Sequence, residues 1–404
     1  MTGLTWPQVH ARRLERHALA APAGPRTPAG PVAADGPRAA DGARPDPAAG
    51  VVADVVSAIC GAHAQVASAA ELSVGLRVAG ATRTTVRQAL WTDRTLVKTR
   101  GPRGTVHLLA AADLPMWIGA LSAMPVPSQE QSQGLLTPAQ TEQVVAAIAD
   151  ALRDDELTTV ELTEQVVART GPWAGDRVME AFQDRWPRWM AAMAAATRRG
   201  AMCSGPNRGR ATTHTSPARW LPGFAPMAGP AALAELARRY LYAYGPATPA
   251  HFAQWLAAPR RWAAELFGTL ELAQVTVEGV QAWVAAGDTD FPPDGPTGVR
   301  LLPYFDAYQV GCHPRELLFP GAAGPRALAG GQAGNHPVLL VDGTVAGVWH
   351  QRRSGRRIHV TVEPLAELRA DRRRALDAQV ELVGRILEGT PSLTIGPISV
   401  GAHA

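Results

Sequence analysis

Two side chains two positions apart, His63 and Gln65 in Gly61-Ala-His63-Ala-Gln65, are the residues of this chain best suited to handling a water molecule. An imidazole with a pKa near neutrality both orients water and accepts its proton. A carboxamide adds a donor and an acceptor that can fix the same water. The pair therefore suits a hydrolysis in which the attacking water needs help. A plainer reading stands beside this one. His63 extends by one i+4 step the apolar face Val52, Val55, Val56 and Ile59, so periodicity alone makes it a core-edge histidine at a helix end. Residues at i and i+2 share no helix face. For the two to act together, Gly61 and Ala64 must mark a turn.

Other chemistries have thin support. Lys98 is the single lysine among 39 basic residues, so covalent catalysis by an amine has one candidate. It lies in a basic stretch and reads as a point charge for phosphate. Cys60, Cys203 and Cys312 are widely separated with no C-x-x-C pair, which excludes a disulfide framework, a zinc ribbon and an iron–sulfur cluster. His107, His214, His251 and His313 stand singly, so no metal site and no cofactor are expected. The net charge is +4 and nearly all the basic residues are arginine, whose forked donors match phosphate. The Ala, Arg, Gly and Pro bias reads equally as the imprint of a G+C-rich genome. No apolar run is long enough to span a bilayer and no signal-peptide layout opens the chain, so a cytoplasmic protein is expected.

The elements that must hold these side chains follow from periodicity and punctuation. Residues 51–60 read as a helix, then Ser68 as an N-cap with Glu71 in capping-box register, then a second helix over 82–90. Two β-branched runs, Leu96-Val97 and 105–109, flank a Gly-Pro break. Helix, helix and basic ribbon is the order of a winged-helix DNA-binding unit. The ribbon carries Arg94, Lys98, Arg100 and Arg103 as candidate phosphate contacts, with Thr105 and His107 beside them. The same order recurs twice. Helices over 137–152, 159–168 and 186–199 precede a polar second wing over 203–219. A helix over 231–242 precedes Thr248, a good N-cap with Pro249 behind it, and strands over 272–283. Gln129-Glu-Gln131-Ser-Gln133 also pairs glutamines, but in a Pro-flanked loop.

At the front, 5–19 reads as a helix carrying Arg12, Arg13 and Arg16, and 20–50 as a disordered Pro/Ala/Gly-rich linker. From 299 onward short β runs take over, with turn signals at Asp342-Gly343 and Ser354-Gly355. The second turn sits in Gln351-Arg352-Arg353-Ser-Gly-Arg356-Arg357. This is either a solvated tip or a hairpin pressed to DNA. A helix over 365–387 closes the pattern.

Several of these stretches resemble the AlkZ-type DNA glycosylases. His63-Ala-Gln65 is similar to the family's Q-A-Q, with histidine leading as in one branch. Arg103-Gly-Thr-Val-His107-Leu is similar to its R-G-T-L-H-L wing. Tyr244-Gly-Pro-Ala-Thr-Pro-Ala-His-Phe252-Ala-Gln-Trp255, Leu301-Leu-Pro-Tyr-Phe305-Asp306-Ala-Tyr308 and Val341 through Trp349 also resemble family motifs. The resemblance implies an α+β fold of three tandem winged-helix units plus a small C-terminal β-barrel and terminal helix. Its parts are 1–19 (helix), 20–50 (linker), 51–125, 126–225 and 226–295 (the three units) and 296–404 (barrel with closing helix).

In function it implies a monofunctional DNA glycosylase that hydrolyses the N-glycosidic bond of bulky or cationic N7-alkylated guanine. Unhooking of interstrand crosslinks and resistance to DNA-alkylating natural products come with it. His63 and Gln65 would be the catalytic pair and Asp306 a candidate for lining the cavity. Arg352, Arg353, Arg356 and Arg357 would bind DNA. The expected partner is double-stranded DNA with alkylated purines, met by a monomer, nucleoid-associated and away from membranes. The alternative is a non-enzymatic winged-helix regulator. Regulators commonly use one unit per protomer and dimerise on palindromes, so three units in one chain favour the enzyme.

Overall fold

The structure is a computed structural model, and it describes residues 3–22, 47–125, 134–180 and 184–401. The glutamines at 129, 131 and 133 and most of the expected linker lie outside the described residues.

Helix α1 (Trp6–Arg16) opens where Gln8 accepts the Thr5 N–H at 3.0 Å, and it ends three residues before the expected boundary, Ala18 having φ of 50°. Its arginines point into the molecule. Arg12 and Arg16 both pair with Asp288 at 2.6 Å, and Arg13 donates to the carbonyl of Pro246. The next helix, α2 (Pro47–Ala58), corrects the linker boundary, because it starts inside the segment expected to be unstructured. Proline in a first turn followed by two alanines is a good helix start.

The first run continues with β1 (Ala62–His63), α3 (Ala67–Gly75), α4 (Arg83–Trp91), β2 (Leu96–Arg100) and β3 (Val106–Ala110). The strands form an antiparallel sheet in the order β1-β3-β2. Thr82 caps α4 as expected for a helix over 82–90. Ser68 does not cap α3, whose N-cap is Val66. Glu71 is instead buried and pairs with Arg87 at 2.6 Å and Arg83 at 3.3 Å. Apolar α5 (Leu114–Ala123) packs on the third run below.

The second run holds α6 (Pro138–Ala151), β4 (Leu157–Thr158), α7 (Thr159–Thr170), β5 (Arg177–Glu180), β6 (Arg185–Pro187), α8 (Met193–Arg198), β7 (Cys203–Arg208), β8 (Ala211–Thr215) and short α9 (Pro217–Trp220). The wing expected over 203–219 is the β7–β8 hairpin, completed by β4 on its other edge. The helix expected over 186–199 is shorter. Trp186 and Pro187 belong to β6, a single-turn 3-10 segment follows, and α8 begins only at Met193. Pro187 biases the preceding Trp186 toward extended backbone, in keeping with its place in β6.

The third run is α10 (Gly229–Tyr244), α11 (Pro249–Leu256), α12 (Arg260–Phe267), β9 (Leu272–Val277) and β10 (Val280–Ala285). Thr248 Oγ1 accepts the His251 N–H at 3.2 Å, the cap expected from sequence.

The C-terminal part corrects the barrel. Strands β11 (Val299–Leu302), β12 (Val338–Val341), β13 (Thr344–Ser354), β14 (Arg357–Pro364) and β15 (Thr390–Ile395) form an open five-stranded sheet in that order. Among the described residues β11 and β15 do not meet, so the sheet curves without closing. Short helices α13 (Ala307–Gly311), α14 (Arg315–Leu318) and α15 (Ala323–Ala327) fill the long β11–β12 connection. Helix α16 (Ala370–Ile386) carries the chain back so that β15 lies parallel to β14. Asp342 (φ 50°) and Gly343 (φ 83°) make the expected tight turn. One apolar core runs continuously through this sheet, α16 and the third run.

One buried ion pair joins the first run to this sheet. Arg77, just after α3, meets Asp306 with two bonds of 2.8 Å, both side chains wholly buried. Ser73 Oγ donates to the same carboxylate at 2.7 Å, and Tyr308 N–H adds another bond at 3.0 Å. Replacing Asp306 by Asn leaves a buried guanidinium without its counter-charge, which should cost about 3–5 kcal/mol in urea unfolding. The double variant Arg77→Met/Asp306→Asn should lose less than Asp306→Asn alone, because no charge is then stranded.

Candidate active site

The site forms where α2 gives way to β1. Cys60 (φ 56°) and Gly61 (φ 94°) end the helix, and a Cβ on Gly61 would lie 2.7 Å from the Leu109 side chain. Glycine is thus required for the chain to enter the sheet. His63 pairs with His107 across β1 and β3, and the Ala64 N–H extends the pairing to the Val106 carbonyl at 2.7 Å. Ala62 to Ala64 is therefore extended and paired with β3, and the chain changes direction at Gln65 rather than at Ala64. Gly61 alone marks the turn that sequence assigned to both.

His63 is half-buried. Its ring lies 4.3 Å from that of Phe305 at an interplanar angle of 29°, and 5.1 Å from His107 nearly edge-on. Nδ1 is buried and has no hydrogen-bond partner, so Nε2 is the nitrogen left for chemistry. Burial, then the nearby Arg103 guanidinium, lowers the imidazole pKa to about 4. It is neutral at physiological pH. Gln65 is exposed in the bend before α3.

The basic ribbon is more docked than free. Arg103, at φ 60° in the β2–β3 turn, donates to the Trp255 carbonyl of α11 at 2.7 Å. Thr105 Oγ1 holds the Pro102 carbonyl, and Arg100 holds that of Gly104. His107 is buried with Nδ1 2.9 Å from the Thr105 carbonyl, and burial with Arg103 and His63 nearby keeps its pKa far below the ordinary value. Lys98 is half-buried, and burial lowers its pKa against the pull of Glu71. Arg94 is exposed with its guanidinium 5.0 Å from the Trp220 ring.

The other candidates divide. Asp306 is wholly buried, and Arg77, Ser73 and Tyr308 take up its carboxylate. Arg352, Arg353, Arg356 and Arg357 are exposed at the β13–β14 tip, but Arg353 is tied to the Leu387 carbonyl at 2.7 Å. Among the described residues no group of three or more His, Cys, Asp or Glu could hold a metal ion, and no helix is long and apolar enough to cross a membrane. Sequence placed Phe305 inside a motif and gave it no role. Only its place between Tyr304 and Asp306 could have flagged it.

Among the described residues five histidines are at least nine-tenths buried: His10, His17, His107, His214 and His313. Burial lowers them all, His10 and His214 to about 4, His17 to about 3, His313 to about 2 and His107 well below its usual value. In the unfolded chain each binds a proton near 6.5. Below that pH the unfolded state therefore holds more protons, and stability falls as pH drops from about 6.5 toward the folded values. A melting temperature clearly lower at pH 5 than at pH 7.5 is expected. A flat profile across this window would count against neutral buried imidazoles.

Comparison with known proteins agrees with these elements. Residues 56–386 match the family described as AlkZ-like, DNA glycosylase AlkZ-like. A Streptomyces sahachiroi protein named interstrand DNA cross-link repair glycosylase is 32% identical over 362 residues, covering 85% of this chain and 87% of that one. The solved structure of Streptomyces sahachiroi DNA glycosylase AlkZ matches with a TM-score of 0.74 at 28% identity, over 98% of this chain and 100% of that one.

Proposed function

Since the chain belongs to the AlkZ-like DNA glycosylase family, we propose that it is a monofunctional hydrolase of the N-glycosidic bond in bulky or cationic N7-alkylated guanine. Family membership sets aside the regulator. The observation that carries the reading is a neutral, half-buried His63 at the end of β1, two residues before an exposed Gln65.

A guanine alkylated at N7 is already cationic and leaves without protonation. The barrier lies in the oxocarbenium-like transition state and in bringing a water to the sugar's far face. His63 Nε2 and the Gln65 amide orient that water. Magnitude decides between orienting and proton storage. With a pKa near 4 and Arg103 close by, imidazolium is disfavoured at neutral pH, so His63 acts as a hydrogen-bonding guide and the proton passes to solvent. Lys98, half-buried in β2, is left as a charge for the DNA backbone.

The helix–strand–helix–helix–hairpin order of the first run supports a winged-helix reading, and the other two runs repeat its outline. Arg352, Arg356 and Arg357 form the most exposed basic edge, suited to the DNA backbone or minor groove. Arg94 and Arg100 extend the cationic surface along the first run. The relative's name supports extending the substrates to interstrand crosslinks, and such a repair activity would protect a cell exposed to DNA-alkylating natural products. The protein would act as a monomer on double-stranded DNA.

His63→Ala should slow single-turnover excision about 10²-fold or more with DNA binding and melting temperature nearly unchanged. Gln65→Ala should be comparable, and His63→Gln should keep much of the rate. Wild-type excision should be flat from pH 8 to 5 and fall only toward pH 4. A stable His63→Ala protein with full activity would falsify the assignment. Replacing Arg352, Arg356 and Arg357 together by alanine should weaken DNA binding and reduce its log–log salt slope by up to about 0.9 for each phosphate no longer neutralised. An unaltered slope would mean a solvated tip.

A further inference from the structure

The geometry points to Phe305 as the positioning residue for His63, its ring standing in for the hydrogen-bond partner that ordinarily orients a working imidazole. The inference rests on the proposed role of His63 in excision. A functional histidine is commonly fixed through its second nitrogen by a carboxylate or carbonyl. Here Nδ1 of His63 is buried with no such partner. Ring contacts take over. Phe305 stacks on one face at 4.3 Å and His107 meets the ring edge-on at 5.1 Å, which together allow one plane for the imidazole.

Phe305 is itself held against local preference. Its φ is 53°, a left-handed backbone rare for a bulky side chain and typical of sites where surrounding structure enforces it. The enforcing bonds lie on both sides. Its N–H is bonded to the Gly334 carbonyl at 2.9 Å, and the following residue is Asp306, anchored on Arg77. Gly334 (φ 100°) backs the ring so closely that a Cβ there would lie 2.8 Å from Phe305 Cδ1. The stack thus reaches from the buried ion pair through one backbone step to the imidazole.

An apolar ring against one face of His63 also removes water that would hydrate imidazolium. Burial is the leading cause of its low pKa. The other groups around His63 do not replace that effect. His107 is neutral, Tyr304 shares the Phe305 loop, the Asp306 carboxylate is turned to Arg77, and Arg103 is the one nearby cation among the described residues.

The test uses the full chain with Phe305 changed to Ala, Leu or Tyr, beside His63→Ala. Histidine-selective NMR follows the His63 titration, assigned by its loss in His63→Ala. Single-turnover excision is followed from pH 4.5 to 8 on a duplex carrying N7-methylguanine. In Phe305→Ala and Phe305→Leu the His63 titration should move up toward 6.5. Excision should fall about 10-fold at pH 7.5 and acquire a further decline below pH 6.5. Phe305→Tyr, which keeps the ring, should keep both wild-type profiles. An unmoved His63 titration in a folded Phe305→Leu protein overturns the inference, as does a rate lowered equally at every pH. Leucine preserves apolar volume, so it separates ring orientation from simple loss of packing should the alanine variant unfold. Full activity of His63→Ala would instead overturn the proposed role of His63, while the titration still judges Phe305.

Discussion

The Arg77–Asp306 ion pair is the constraint on which the site depends. Two charges wholly removed from water are costly unless their donors and acceptors are met. Here the carboxylate receives two guanidinium bonds, the Ser73 hydroxyl and the Tyr308 N–H. Replacing such a pair by apolar groups is often neutral for stability, so geometry is the better account of its presence. It ties the helix after the His63 strand to the loop carrying Phe305, across 229 residues of sequence. Ala307 packs into the apolar core of the first run beside it, so the two parts meet through both charge and packing.

Local signals were legible where the cause was local. Thr82, Thr248 and the Asp342-Gly343 turn do in the structure what their residue types suggest, because caps and tight turns are decided within a few residues. The β runs of β9, β10 and β12 were equally plain. Long-range pairing was not. Strand β15 lies on a sheet edge because α16 returns the chain beside β14, and nothing within Thr390–Ile395 announces its partner. The resemblance implied a barrel, and the five strands form an open sheet. At the site, the motif placed His63 and Gln65, but helix periodicity misled about how they converge. The chain leaves the helix before Gly61 and enters β1, and only tertiary structure could bring Phe305 to His63.

Arginine was the least transferable signal. A guanidinium fork suits backbone carbonyls as well as phosphate. Arg12, Arg13, Arg16, Arg77, Arg103 and Arg353 all bind carbonyls or carboxylates within the molecule. Several of these cross between the runs, so the arginine-rich composition is partly a means of joining them. The share of arginine left free of internal bonds is accordingly smaller than the count of basic residues suggests, and Arg352, Arg356 and Arg357 at the β13–β14 tip are exposed.

The N-terminal helix has a consequence for how the molecule is made. Arg16 finds its carboxylate 272 positions downstream, at Asp288. At a synthesis rate of about 5–20 residues per second, that partner leaves the ribosome roughly 14–54 s after the helix does. Through this interval Arg12 and Arg16 lack their carboxylate, while the carbonyls at 242–246 that Arg13, Arg16 and His17 bind emerge earlier. The helix is thus fully seated only late, when it links the third run with the C-terminal sheet.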